Sequence, residues 1–365
     1  FMRDTDIFED LFVLELANNH WGKLERGLDI IAQHSSIVRF NSVRAAIKLQ
    51  FRDVDTFIHK DFRARQDIRY IKKTIETRMG KDDFAVMVDA IRKSGCVPMA
   101  TPFDAASVDL CVELGIQIIK IASSDINDWF LIEKIAETKK PVIVSTGGFA
   151  VKDLDDIVTF FGNRHIPLAL NHCVSLYPTE DRDLDLNQID YLRCRYPNHV
   201  IGFSTHEHMD WTSSMLIAYA KGARTFERHI DIAYPDKAVA PYCSLPHQVD
   251  TWFKAYLKAR EMCGPAGDEK RIPPREEVEY LDALVRGVYA KRDLPKGYIL
   301  QHENINDDVY MAVPLQKGQI SCRELMSGEV LLRDLKKDEA VLIDSIDSPY
   351  AHNPALRDLI FKRGI

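Results

Sequence analysis

The sequence predicts a closed parallel (β/α)8 barrel, the TIM-barrel class of α/β fold, followed by a small β-rich domain. Three observations carry that expectation. Short apolar runs recur eight times between Leu11 and His229, and amphipathic stretches separate them. The runs are rich in β-branched residues and do not alternate strictly with polar ones, as expected of strands covered on both faces. The length of 365 residues exceeds the roughly 250 that one barrel needs, which leaves room for a second unit.

Taken in order, the predicted strands are Leu11–Leu16, Ala45–Gln50, Val97–Thr101, Ile116–Ala122, Val142–Ser145, Leu168–Asn171, Val200–Phe203 and Thr225–His229. Between them, Asp82–Lys93 reads as a helix with Phe84, Val86, Met87, Ala90 and Ile91 inward. Asp153–Phe161 places Leu154, Ile157, Val158 and Phe161 on one face, and Trp211–Lys221 forms a third helix. Eightfold strand–helix alternation favours a barrel over an open doubly wound sheet. The open sheet would bring a Gly-rich first turn, and no GxGxxG follows the first strand.

The pattern changes after Glu276. A helix through Leu284 leads into two related segments, Arg286–Gly297 and Leu332–Leu342. Each contains Arg-Asp-Leu, a basic turn and an apolar run. The domains expected are therefore a barrel over 1–280, a small β-rich domain over 285–347, and a tail over 348–365 that either packs as a short helix or frays.

Composition narrows the function classes. The formal net charge is −7 and no basic block occurs, which argues against a nucleic-acid partner. No run of 18 apolar residues exists, so no membrane span is expected. The start Phe1-Met2-Arg3-Asp4 does not read as a signal peptide. The seven cysteines are scattered, with no CxxC pair, which suits reduced thiols in a cytoplasmic protein.

The chemistry gathers at the C-terminal ends of the predicted strands, where barrel active sites lie. Those ends read Glu15-Leu-Ala-Asn-Asn19-His20, Lys48-Leu-Gln50, Thr101-Pro-Phe-Asp104 and Lys120-Ile-Ala-Ser123. The later four read Ser145-Thr-Gly147-Gly148, His172-Cys-Val-Ser175-Leu-Tyr177, Ser204-Thr-His206 and Glu227-Arg-His229. Lys48 and Lys120 stand in apolar strands and need partners for their charge. A carboxylate and a phosphate on one small ligand would serve both, and so would neighbouring Asp or Glu residues. Ser123, Ser145 and Ser204 supply hydroxyls for an anion or simply cap strand ends. Gly147-Gly148 lets backbone N–H groups approach a phosphate. His206 and His229 end adjacent strands and suit a divalent ion with open coordination positions, unless they are two unrelated buried histidines. His208 reads as a loop histidine, and His20 either orients substrate or fixes its loop.

In this order, the strand ends resemble the sialic acid synthase family, with its legionaminic and pseudaminic acid synthases and the spore-coat polysaccharide protein E group. The matching motifs are E-x-x-x-N-H-x-G at Glu15–Gly22, K-x-Q at Lys48–Gln50, T-P-F-D at Thr101–Asp104 and K-I-x-S at Lys120–Ser123. The remainder are S-T-G at Ser145–Gly147, H-C-x-x-x-Y-P-T at His172–Thr179, G-[FY]-S-x-H at Gly202–His206 and E-[KR]-H at Glu227–His229. The resemblance implies condensation of phosphoenolpyruvate with a sugar aldehyde to a 3-deoxy-2-ketoulosonic acid. It implies phosphoenolpyruvate binding by Lys48, Lys120, Ser123, Ser145, Ser175 and Ser204, and a divalent metal, typically manganese, on His206 and His229. Asn19, Gln50, Thr101 and Tyr177 would line the same pocket, with Glu15 close to the reacting centre. It also implies an antifreeze-protein-like cap domain and a domain-swapped homodimer.

Two positions depart from the family. Where it carries an Asp after the eighth strand, this chain has Ala240, and where its cap carries an Arg before Pro-Gly, this chain has Val313. The donor half is kept and the acceptor half altered, so the acceptor need not be N-acetylmannosamine. The competing functional readings are a Schiff-base aldolase using Lys120 or Lys48, and a non-catalytic sugar-binding relative.

Overall fold

A computed structural model of the chain describes residues 6–265 and 267–364; the Phe1–Asp4 start lies outside them. The described chain forms two compact units, divided between Pro265 and Ala266.

The first unit is a closed eight-stranded parallel barrel in sequential order. Its strands are β1 (Leu11–Ala17), β2 (Arg44–Phe51), β3 (Val97–Pro102), β4 (Ile118–Ile121), β5 (Val142–Ser145), β6 (Leu168–Cys173), β7 (Val200–Thr205) and β8 (Thr225–His229). All eight predicted strands are present, and closure of β8 on β1, with Leu11 opposite Thr225 and Glu15 opposite His229, excludes the open sheet. The surrounding helices are α1 (Leu24–Asn41), α2 (Lys81–Lys93), α3 (Ala105–Glu113), α4 (Trp129–Glu137), α5 (Val151–Asn163), α6 (Asn187–Arg195), α7 (Ser213–Ala220) and α8 (Pro246–Cys263).

Side chains alternate along each strand, because successive Cβ atoms point to opposite faces. One parity, with Phe12, Leu14, Ile47, Leu49, Ile119, Val144, Leu170, Phe203 and Phe226, packs outward under the helices in the main core. The other parity points into the barrel. At the N-terminal end it forms a dry plug of Leu11, Val13, Ala46, Met99, Ile118, Ile143, Ala169 and Val200. Both parities are apolar there, which is why the sequence shows runs rather than alternation.

Helix α2 corrects one expectation. Phe84, Met87, Val88 and Ile91 are its buried face, at the i, i+3, i+4, i+7 spacing of one stripe. Val86 lies off that stripe and is exposed. A segment not predicted, Val54–Glu76, sits between β2 and α2 and includes a helix over Arg69–Glu76.

The second unit has its own core, built on Val288, Leu294, Leu300, Leu325, Leu331, Leu335, Val341, Ile343 and Ile346. Its strands are β9 (Gly287–Ala290), β10 (Ile299–Gln301), β11 (Val309–Ala312), β12 (Ser327–Leu331) and β13 (Ile346–Asp347). They form sheets ordered β10-β12-β13 and β11-β9. The two related segments pair with each other: Leu294 and Leu335 exchange both backbone hydrogen bonds at 2.9 Å. Asp334 accepts from Lys296 N at 2.7 Å and Asp293 accepts from Lys337 N at 2.8 Å, so each aspartate closes the other segment's basic turn. The domain boundary needs correction. Residues 266–280, including the first part of α9 (Arg275–Leu284), belong to the second unit rather than to the barrel. The tail also belongs to it as α10 (Pro354–Lys362), with Ile360 and Phe361 packed on its core.

No helix among the described residues is long and apolar enough to cross a membrane. All seven cysteines are free, four of them buried.

Candidate active site

Following the inward parity of each strand past the apolar plug reaches a different kind of residue. Val13 is succeeded by Glu15, Ala46 by Lys48 and Gln50, and Met99 by Thr101. Ile118 is succeeded by Lys120, Ile143 by Ser145, and Val200, two steps on, by Ser204 and then His206. Parallel register brings them level: Glu15 stands opposite Lys48 on one side and His229 on the other, Gln50 opposite Thr101, and Ser204 opposite both Cys173 and Glu227. The C-terminal mouth of the barrel thereby becomes a cavity of about 740 Å³. Every predicted site residue lines it: Glu15, Asn19, Lys48, Gln50, Thr101, Lys120, Ser123, Ser145, Ser175, Tyr177, Ser204, His206 and His229. Glu227, Cys173, Tyr242, Arg52, Arg69 and Lys73 join them.

The floor is a compensated charge cluster. Lys48 pairs with Glu15 in a close contact, lies 3.6 Å from Glu227 and donates to Thr101 Oγ1 at 3.1 Å. Lys120 pairs with Glu227 at 3.3 Å, and Ser204 donates to the same carboxylate oxygen at 3.2 Å. The lysines thus have carboxylate partners within the chain, one of the two readings the sequence left open. Gln50 donates to Glu15 at 2.7 Å.

All four charged groups are buried. For Glu227, burial alone would raise the pKa, but Lys120 and Lys48 on either side outweigh it and hold the carboxylate low. Glu15 shares Lys48 with Glu227; burial dominates there and its carboxyl is raised, making it the more readily protonated of the two. Lys48 is held charged against burial by Glu15 and Glu227, whereas burial lowers Lys120.

The imidazoles of His206 and His229 lie 5.3 Å apart between ring centroids. Burial pushes His206 down to about 4 and His229 well below its ordinary value, so both rings are neutral near pH 7. His206 Nδ1 lies 2.9 Å from the Val174 carbonyl, which can only accept; the proton is therefore on Nδ1 and the Nε2 lone pair is left for a ligand. Two neutral imidazoles with one tautomer fixed by the backbone suit a divalent ion completed by oxygen donors. Among the described residues, no cluster of three or more His, Cys, Asp or Glu forms a closed metal site. Tyr177 packs against His206 at 3.9 Å, and Tyr242 against His229 at 5.2 Å.

On the opposite wall, a Cβ at Gly147 would meet Ser175 Oγ at 2.3 Å and Ser123 Oγ at 2.9 Å. Only glycine lets the two hydroxyls close in on a backbone N–H, which donates to Ser123 at 3.1 Å. Ser145 Oγ is buried with no protein partner among the described residues.

The remaining candidates separate. His20 accepts from Gly22 N at 3.0 Å and packs edge-on against Phe84, which fixes its loop. His208 and Ala240 do not line the cavity; Tyr242 reaches it from the segment that carries Ala240. Val313 lies in the second unit, exposed. Behind the site, Arg228 points outward and makes a buried pair with Glu207 at 2.6 Å, which ties β8 to the loop after β7.

The NeuB family profile matches residues 40–264. The chain is 30% identical to the N-acetylneuraminate-9-phosphate synthase of Drosophila melanogaster, over 68% of this chain and 71% of that one. It is 27% identical to a pseudaminic acid synthase of Campylobacter jejuni, over 84% and 88%. Among solved structures, one provisionally named as spore coat polysaccharide biosynthesis protein E, from Chromobacterium violaceum, superposes with a TM-score of 0.87 at 35% identity, covering 93% of this chain and all of that one.

Proposed function

Because this chain belongs to the NeuB family, we propose that it condenses phosphoenolpyruvate with the aldehyde of an open-chain sugar, releasing phosphate and forming a 3-deoxy-2-ketoulosonic acid. The observation that carries this reading is convergence: two lysines, two carboxylates and two neutral imidazoles from separate strands share one cavity. Homologues are named as sialic, pseudaminic and legionaminic acid synthases.

The residues divide the work. Lys48 and Lys120 bind the donor's carboxylate and phosphate, sharing them with the floor carboxylates. Ser123, Ser145, Ser175 and the Gly147 N–H surround the phosphate, with Ser204 beside Lys120. His206 and His229 would hold a divalent ion, manganese in this proposal, which when bound supplies a Lewis acid for the aldehyde oxygen. Asn19, Gln50, Thr101 and Tyr177 hold the reactants at close range. The donor's enol carbon then bonds to the aldehyde carbon. Water adds to the donor carbon that bears the phosphate ester oxygen, and that tetrahedral carbon loses a proton and, by C–O cleavage, the phosphate, leaving the 2-keto group. Glu15, whose raised carboxyl exchanges a proton more readily than Glu227, orients that water or moves its proton. The homodimer implied by the resemblance belongs to the same proposal, with sedimentation as its check.

The test is donor consumption with Mn²⁺ and a panel of aldoses. At least one sugar should drive phosphate release that stops on chelation and returns with Mn²⁺. No release with any sugar would leave a binding protein. A covalent adduct trapped by borohydride on Lys120 or Lys48 would put the Schiff-base aldolase in its place.

A further inference from the structure

The floor's charges balance, two lysines against two carboxylates, but the wall above carries three more cations. Arg52 lies just past β2. Arg69 and Lys73 are one turn apart on the Arg69–Glu76 helix and share a face. Among the described residues none of the three has a carboxylate within ion-pair distance. The Arg52 guanidinium stacks 3.7 Å from the Phe103 ring centroid and donates to the Tyr70 hydroxyl at 3.1 Å, while its Nε is shut from solvent without an acceptor. The Lys73 ammonium is half-buried, 5.6 Å from the Trp21 ring centroid. In a chain of net charge −7, three like charges on one cavity wall, two of them half-buried and Arg69 exposed at the rim, make that wall a local attractor for an anion.

This group is separate from the floor. The charges acting most on Lys73 are Cys243, Arg69, Arg52 and Asp231; those acting on Lys120 are Glu227, Lys48, Cys173 and Glu15. Arg69 also acts on Tyr242, whose ring packs on His229. Lys73 acts on His229, so Arg69 and Lys73 lie on the imidazole and Tyr242 side, while Arg52, stacked on Phe103, also faces Asp125 beyond Ser123.

We propose that Arg52, Arg69 and Lys73 form a second anion subsite, and that the acceptor sugar carries a phosphate monoester remote from its aldehyde. The proposal rests on the synthase reading, in which the donor's two anionic groups occupy the floor. A phosphate dianion, with three acceptor oxygens, matches three converging cations better than a single carboxylate does.

The test uses the full chain with saturating phosphoenolpyruvate and Mn²⁺. Mannose and N-acetylmannosamine, their 6-phosphates, and mannuronate are each titrated by calorimetry and assayed for phosphoenolpyruvate consumption. The 6-phosphates should bind roughly 10-fold to 100-fold more tightly than the free sugars. Lys73→Gln and Arg69→Gln should each reduce that preference about 10-fold with the KM for phosphoenolpyruvate unchanged, and Lys73→Arg should retain it. Equal binding of free and phosphorylated sugars, or variants that weaken both alike, would overturn the subsite. A preference for mannuronate would overturn the phosphate assignment. A Lys73-dependent preference for 6-phosphates without consumption of phosphoenolpyruvate would support the subsite while removing the synthase reading.

Discussion

The two ends of the barrel interior are built by the same strands and the same side-chain parity, yet they differ in kind. At the N-terminal end the inward positions are Val13, Ala46, Met99, Ile118 and Ile143, a dry plug. Two residues further along they are Glu15, Lys48, Thr101, Lys120 and Ser145, a polar cavity floor. The backbone treats both ends alike. What differs is what the chain spends its interior on: dispersion and burial at one end, charge held for a ligand at the other. Substitutions at the first end should cost stability, and at the second should cost reaction.

The sharpest break between the two would come at the imidazoles. His206→Ala should lower kcat/KM by about 10³-fold or more, because several kcal/mol of charge stabilisation leaves with the ligand. Its stability should fall by only about 1–3 kcal/mol, the cost of leaving the Val174 carbonyl without the His206 hydrogen bond. Full activity in chelator-treated mutant protein would refute the metal role. Outside the cavity the order reverses. Glu207→Ala strands the buried Arg228 and should cost roughly 3–5 kcal/mol in denaturant unfolding. Activity per folded molecule should fall far less.

A third comparison is by pH. His34, on the buried face of α1 with Nε2 donating to the Asp231 carbonyl at 3.0 Å, is pushed by burial to about 4. Its unfolded value lies near 6.5, so the unfolded chain binds the extra proton first. His34 therefore favours folding above pH 6.5, and that advantage is lost as pH falls from 6.5 to 4. His34→Gln should flatten the fall in unfolding free energy across this window, by up to roughly 3 kcal/mol. An unchanged slope would mean that His34 is not the group titrating. The smallest effect belongs to the plug: Ile143→Val should cost roughly 0.5–1.5 kcal/mol and leave kcat alone.

Much of this architecture was legible in the residues. Strand positions were, because β-branched runs between amphipathic helices leave little choice of fold, and each predicted strand overlaps an observed one. The floor was legible too: Lys48, Lys120, His206 and His229 were conspicuous as polar groups at strand ends. The wall was not. Arg52 follows directly on β2, and Arg69 and Lys73 lie in a charged stretch, Arg63 to Lys73, where basic side chains are the ordinary sign of solvent. Only the helix Arg69–Glu76 turns two of them toward the cavity. Glu227 was visible as part of E-R-H, but its position between Lys48 of β2 and Lys120 of β4 comes from closure of the barrel, which no local pattern states. The domain boundary slipped by about one helix because α9 is amphipathic, like the barrel's own helices, and periodicity cannot say which core it serves.

The separate core of the second unit bears on how this protein melts. Residues 266–365 enclose their own apolar interior, closed by the reciprocal Leu294–Leu335 pairing. A block of that size can unfold as a cooperative unit. A calorimetric trace of the whole chain should then contain more than one heat-absorption peak, and a single melting temperature would average two transitions. Reading any of the stability differences above therefore requires a probe that reports on one block at a time, such as the tryptophans, all four of which belong to the barrel.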